Sequence, residues 1–420
     1  MRVVTVTEMR EIEQRAEAEH GLTSETLMEH AGRSVAAALR AAAGGSVTDL
    51  HVVVLVGPGN NGGDGRVAAK YLAQWGARIS AYVWRGGTIE SNGVIGPAGE
   101  DLAALATLLG DADVVLDALL GTGHTRPLAP EMRRALSLVA AERARRRNAP
   151  IVVAVDLPSG LNADTGAVDE GTIAADLTVT LACPKVGLFL FPGAGLVGEL
   201  EVGDIGLPSE MSLGAGLEML TSDLLRPTWP RRGLDSNKGT FGHVVVLGGS
   251  AYYVGAAYLA AAASGRAGAG LIVLAVEPSA IPTYAAMLPE AIYAPLAAST
   301  LPAEDRASQL MQAIPGARAM VIGPGLSPAP EVAELLAAVF AAVRAMPAAA
   351  APRLIVDASA LSHLAKLPDW WQRLPAGSVL TPHPGEMSRL LGGAPVSGGG
   401  VDRLVVARET AAHWGHVIVL

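Results

Sequence analysis

His51-Val52-Val53-Val54-Leu55-Val56, followed by Gly57-Pro58-Gly59-Asn60-Asn61-Gly62-Gly63-Asp64-Gly65, decides how the first half of the chain is read. A short, largely apolar run bounded by glycine reads as a strand buried on both faces. Residues 57–65 then read as a loop, and Arg66 to Trp75 as the helix that follows it. Glycine lets a backbone take positive φ and come close to a ligand. The first N–H groups of a helix have no intrahelical acceptor and suit an anion such as phosphate. The glycines do not fall at the first, third and sixth positions of a dinucleotide fingerprint, so a plain hydride-transfer enzyme is not supported. Taken alone, the loop is equally well a tight strand-to-helix turn.

Outward from this point the same rhythm repeats. Arg78 to Trp84, Val114 to Leu116, Ile151 to Val155 and Leu177 to Leu181 read as further strands separated by helical stretches, which indicates a covered parallel sheet. Before it, apolar residues recur at helical spacing as far as Leu39, with Thr7 as the expected N-cap. The pattern breaks between Pro208 and Arg226, and a domain boundary is expected near residue 221. A second strand series follows: His243 to Leu247, Leu271 to Val276, Met320 to Ile322, Leu354 to Val356, Ser378 to Leu380 and Val417 to Leu420. The fold class is therefore α/β, with a Rossmann-like three-layer domain over 1–220 and a second α/β domain over 221–420. The halves share a style without an evident repeat.

Composition narrows the function. At 420 residues with 50% hydrophobic content, two well-buried cores are expected. A net charge of −9 disfavours nucleic acid as a partner, although a local anion site remains possible in an acidic protein. The single cysteine, Cys183, cannot make an intrachain disulfide and sits in an apolar stretch, where it reads as a buried structural thiol. No apolar run reaches the ~18 residues of a membrane span, and the N-terminus has no secretory pattern. A cytoplasmic protein without membrane contact is the expectation. The basic run Glu142 to Arg147 reads as a solvated helix end.

Two carboxylates sharpen the site. Asp117 follows the strand Val114-Val115-Leu116 and precedes Gly121-Thr122-Gly123-His124; Asp156 ends Ile151 to Val155 and opens Leu157-Pro158-Ser159-Gly160. In an open α/β sheet such loops converge beyond the carboxyl ends of the strands, where ligands bind. These segments, with Leu27-Met28-Glu29-His30-Ala31-Gly32, resemble the NAD(P)H-hydrate epimerase family over nearly all of residues 1–208. The resemblance implies substrate contacts at Asn60, Asn61, Gly62, Gly63 and Asp64. It adds Gly121, Thr122, Gly123, His124, Thr125, Arg126 and Pro127, and Asp156. It also implies a potassium ion at Asn61, Asp117 and Ser159, whose hard oxygens suit an alkali cation. Epimerising a ring hydroxyl beside a nitrogen requires a positioned carboxylate to move a proton, and Asp156 is the candidate. Asp64 is read as loop architecture, and His124 as a pocket-lining residue with a general-acid role as the alternative.

In the second half, Asn237 to His243, Leu247-Gly248-Gly249-Ser250, Gly268 to Leu271, Gly323-Pro324-Gly325-Leu326, Asp357 to Leu361 and Thr381 to Glu386 resemble the ADP- or ATP-dependent NAD(P)H-hydrate dehydratases, which have a ribokinase-like fold. That resemblance implies substrate contacts at Gly325 and His383, use of ADP or ATP, and magnesium. NADHX and NADPHX are the implied substrates, and a homo-oligomer is expected. Two departures stand out. Asp357-Ala358-Ser359 replaces the family's Asp-Ala-Asp, and no Asn-Pro-Gly or Gly-Thr-Gly-Asp segment follows the last apolar stretch. The second domain is accordingly expected to be cut short and weak as a dehydratase. A ribokinase-type kinase and a cofactor-binding protein without turnover are the competing readings.

Overall fold

Thr5, not Thr7, starts the first helix. Its side chain accepts from Glu8 N while Glu8 accepts from Thr5 N, a reciprocal cap that leaves Thr7 inside the first turn. The computed structural model describes residues 1–84, 101–123, 126–212, 216–396 and 400–420. Helix α1 (Val6–His20) ends at Gly21, whose φ of +67° closes it, and Thr23 caps a second helix, α2 (Ser24–Ala42). The helical material expected up to Leu39 is thus divided into two helices.

The chain divides into two compact units, Met1–Trp229 and Pro230–Leu420. In the first, a short ribbon joins β1 (Arg2–Val3) to β8 (Leu217–Glu218). Its main sheet has six parallel strands: β2 (His51–Val56), β3 (Arg78–Val83), β4 (Val114–Ala118), β5 (Ile151–Val155), β6 (Leu177–Leu181) and β7 (Glu199–Gly203). Their order in the sheet is β3-β2-β4-β5-β6-β7. Alternation along β2 explains the layers. Val52, Val54 and Val56 pack with α2 and α3 (Asn60–Gln74), whereas Val53 and Leu55 pack with α4 (Leu102–Leu109) and α5 (Pro130–Arg145).

The loop expected over 57–65 is shorter than its glycines suggested, because α3 already begins at Asn60. Positive φ is not the reason for those glycines; Gly57, Gly59, Gly62, Gly63 and Gly65 all lack it. Close packing is. A Cβ on Gly65 would lie 2.4 Å from that of Ala118, and one on Gly32 would lie 2.4 Å from Val67, so small residues let α3 seat against both sheet and α2.

The second unit carries seven parallel strands in the order β11-β10-β9-β12-β13-β14-β15. They are β9 (His243–Leu247), β10 (Leu271–Val276), β11 (Ile292–Pro295), β12 (Ala317–Ile322), β13 (Arg353–Val356), β14 (Val379–Leu380) and β15 (Val417–Ile418). Strands β7 and β11 were not foreseen. Both are edge strands with partly exposed residues; β7 alternates glutamate with apolar residues, and the short β11 ends on Pro295.

Candidate active site

Strand order reverses direction between β2 and β4, and there the loops after the two strands part to leave a crevice. Gly57 holds that point. Its N–H donates to Ala118 O at 3.0 Å, and a Cβ on it would sit 1.7 Å from Leu119 O, so no other residue fits without moving main chain. The crevice continues as a cavity of about 370 Å³. Asn60, Asn61, Asp64, Gly121, Thr122, Gly123 and Asp156 line it, so most of the residues chosen from sequence converge. Gly62, buried, and Gly63, half-buried, lie behind its wall as packing residues. Arg126 and Pro127 are exposed and do not line it, while His124 and Thr125 lie outside the described residues.

Asp156 takes a left-handed φ of +67° as the chain leaves β5, a conformation that aspartate tolerates better than most residues and that concentrates at functional sites. Its Oδ1 accepts from Thr180 Oγ1 at 3.2 Å, Leu181 N at 3.1 Å and Lys185 Nζ at 2.5 Å. Lys185 is 1% exposed and also donates to Leu181 O at 2.9 Å. Sequence reasoning missed this lysine. The available signal was a lone cation inside the apolar stretch Leu181 to Val186, since a buried ammonium requires a partner.

Asp64 faces the same cavity from the first turns of α3 and is 7% exposed. Among the described residues no hydrogen bond reaches its carboxyl group. Burial, reinforced by the nearby charges of Asp156 and Glu13, pushes its pKa up to about 8. Glu13, on α1, opens onto the cavity too. The protein mass around it, opposed by Lys185 and aided by Asp156, raises its carboxyl above the ordinary range. Glu13 was a second omission from the sequence reading. So Asp64 is more than loop architecture: it is an unpaired carboxyl group directed at the cavity.

Asp117 sits behind this wall, wholly buried, with its pKa raised by desolvation. Ser159 donates to it twice, from Oγ at 2.6 Å and from N at 2.9 Å, and Leu119 N adds a 3.3 Å contact. No cationic side chain reaches Asp117 among the described residues. Asn61 Nδ2 is buried with no partner among the described residues, and a Cβ on Gly121 would lie 3.1 Å from Asn61 Oδ1. A buried carboxylate among neutral oxygens, lacking its own counter-charge, fits a monovalent cation.

The second unit reverses its winding between β9 and β12. A Cβ on Gly248 would lie 2.5 Å from Pro324 O, and Gly249 N donates to that oxygen at 2.8 Å. Gly325 is buried against Tyr253 with φ +74°. His383 caps the helix Pro384–Leu390: its Nδ1 accepts from Gly385 N at 3.0 Å, and its Nε2 lies 3.5 Å from Glu386 Oε1 on a 63% exposed side chain. A cavity of about 470 Å³ near Gly249 and Ser327 is lined by neither Gly325 nor His383, so the structure does not join these two in that space.

Comparison with known proteins agrees with this division. Residues 24–187 match the family described as YjeF-related protein N-terminus, and residues 244–420 match the NAD(P)H-hydrate dehydratase family. The bifunctional NAD(P)H-hydrate repair enzyme Nnr of Moorella thermoacetica is 35% identical across 100% of this chain and 80% of its own length. The chain belongs to that repair family. The Nnr of Thermofilum pendens is 34% identical over 93% of this chain and 74% of its own. A solved ADP/ATP-dependent NAD(P)H-hydrate dehydratase from Bacillus subtilis, co-crystallized with ATP and Mg2+, is 32% identical over 49% of this chain and 67% of its own, with a TM-score of 0.38. As a member of the family, the chain carries an epimerase module followed by an ADP/ATP-dependent dehydratase module. The α1 helix with Glu13 precedes the first matched segment; Lys185 falls inside it.

Proposed function

We propose that the cavity at the β2–β4 switch point interconverts the R and S forms of NADHX and NADPHX, with Asp156 as a proton-transferring group. The observation that carries this is the convergence of Asn60, Asn61, Asp64, Thr122 and Asp156 on one crevice, with Lys185 buried against Asp156. The substrate's C6 hydroxyl lies beside a ring nitrogen. Its C6–O bond can break as the nitrogen lone pair forms C=N, and water can return from the other face. Asn60, Asn61 and the first N–H groups of α3 would hold the polar part of the ligand. Asp117, Ser159 and Asn61 would hold potassium, which supplies positive charge next to the substrate loop. In the second unit, Gly325 and His383 would contact the S form, and ADP or ATP with magnesium would make the hydroxyl a better leaving group. A cytoplasmic homo-oligomer fits this metabolic role.

The test uses the full chain with R-NADHX and potassium, following both epimers by chromatography. Wild-type protein should equilibrate them. Asp156→Ala should slow the exchange by about 10²-fold or more, the scale of a lost general acid or base. Equal rates for the two proteins would remove Asp156 from the mechanism.

A further inference from the structure

The cavity holds more acid than one proton-transferring carboxylate requires. Glu13, Asp64 and Asp156 all border it, and its cations are Lys185 and Arg10. Lys185 is committed to Asp156 and to Leu181 O, and Arg10 is exposed at the mouth. On the side toward α1, Asp64 faces Arg10, Glu13 and Glu17 across adjoining space; toward α2 it meets apolar Leu27 and Met28. Beyond the strand ends it faces Asp156 and Lys185. A carboxyl group that is more than nine-tenths buried, unpaired, and directed at a ligand cavity has a defined chemical use. Its neutral form can donate a proton without first breaking a hydrogen bond to the protein.

We propose that Asp64 is the acid of the epimerisation and Asp156 its base, with Glu13 a positioning residue that keeps the proton on Asp64. This rests on the epimerase reading above. In the forward direction the Asp64 proton goes to the C6 hydroxyl, the C6–O bond breaks, and the ring nitrogen lone pair becomes the second bond of C=N. Water leaves and Asp64 is left as carboxylate. Water then adds to the opposite face of C6, the C=N pair returns to nitrogen, and the water's spare proton goes to Asp156. Both carboxyl groups border the same open cavity, so the proton returns from Asp156 to Asp64 through solvent, and nothing is consumed. The reverse reaction exchanges the two roles. Two carboxyl groups in unlike surroundings, one paired with a buried lysine and one unpaired, are the arrangement that separates acid from base at a single pH.

Glu13 acts through charge. Its carboxylate opposes ionisation of Asp64, so the acid form survives at higher pH than it would alone. Because α1 lies before the matched family segment, this part of the site is supplied by an element the domain match does not include.

The test measures epimer exchange by the full 420-residue chain across a pH series, for wild type, Asp64→Asn, Glu13→Gln and, as a control, Glu17→Gln. Asp64→Asn should lose about 10²-fold or more of kcat, because its amide cannot supply the proton. Glu13→Gln should keep a rate near wild type at mildly acid pH while the alkaline limb of kcat/KM moves to lower pH. Glu17→Gln should leave that limb in place. Thermal melting of each variant checks the fold, and if Asp64→Asn fails to fold, the shift in Glu13→Gln decides alone. A fully active Asp64→Asn protein would overturn the acid assignment. A Glu13→Gln protein with an unmoved alkaline limb would overturn the positioning role. If wild-type protein fails to exchange the epimers at all, it is the epimerase reading of the cavity that falls.

Discussion

At the winding reversal of the first sheet, Gly57 lies against the carbonyl of Leu119; at that of the second, Gly248 lies against the carbonyl of Pro324. The backbone solution is the same, and what surrounds it differs. The first crevice gathers Asp64, Asp156 and Lys185, with Asp117 behind. Around the second, Ser250 Oγ and Tyr284 Oη are buried beside the glycine turns with no partner among the described residues, and the cavity next to Gly249 is lined by Glu277 and Arg306. Asp357 ends β13 where Asp156 ends β5, but among the described residues its Oδ1 accepts only from Ala358 N, at 2.8 Å. A site furnished with its own charges can move protons by itself. Unpartnered hydroxyls and bare backbone beside the Gly249 cavity suit a ligand that brings charge with it, as a nucleotide does.

The largest effect separating the two units is expected at Lys185. Lys185→Met leaves the Asp156 carboxylate buried without its cation, and removing one partner of a buried pair destabilises by about 3–5 kcal/mol. Asp357→Asn in the second unit breaks no ion pair and should change stability by about 0.5 kcal/mol or less. Urea titration of the full chain reads both. Equal losses would mean that the first crevice is not the more highly charged of the two in energetic terms.

The glycines give the next contrast. Gly57→Ala places a Cβ 1.7 Å from a main-chain oxygen and Gly248→Ala places one 2.5 Å from its counterpart. Backbone must shift in each case, at about 1–3 kcal/mol for overpacking, with the greater loss at Gly57. Each substitution should also depress its own unit's reaction and spare the other. Loss of both reactions from one substitution would show that the units do not stand apart.

Much of this was legible in the sequence, for physical reasons that also explain the omissions. Buried parallel strands such as β2, β5 and β9 write themselves as apolar runs, and Asp117 and Asp156 stood out as carboxylates at strand ends. The edge strand β7 writes no such run, and β11 writes only a short one that ends on Pro295. The start of α3 was hidden because glycine is a poor helix former, yet packing against Ala118 and α2 overrides propensity there. Glu13 was invisible for another reason, and Lys185 left only the trace of a lone cation in an apolar stretch. Each acquires its role from a partner on a different element, and the sequence does not name a partner that only the folded chain brings near.

A smaller effect is expected from potassium. Wild-type protein should gain stability as potassium rises, by about 2.7 kcal/mol at a hundredfold excess over Kd. Asp117→Asn removes the formal charge that would bind the ion, and its melting temperature should respond little. Sodium or choline at equal ionic strength controls for screening. If the two proteins respond alike, Asp117 does not hold the ion, and the first crevice loses one of the charges that distinguish it from the second.

The smallest effect is the most discriminating, because its sign depends on pH. Asp64 titrates near 8 in the folded chain against an ordinary value of 3.8. Between those values the folded protein binds a proton that the unfolded chain has released. Stability contributed by this group is therefore present at low pH and falls as pH rises toward 8. Asparagine has a similar shape and no proton to lose. Asp64→Asn should match wild type near pH 4 and become the more stable protein by pH 8, by an amount on the order of 1 kcal/mol once local relaxation is allowed for. The same substitution should cost about 10²-fold or more of the epimerisation rate, so stability and activity would move in opposite directions at one residue, as expected where a site keeps an unfavourable group for its chemistry. A stability difference that stays flat from pH 4 to 8 would show that Asp64 is ionised throughout. The first crevice would then hold an ordinary carboxylate where an acid is required.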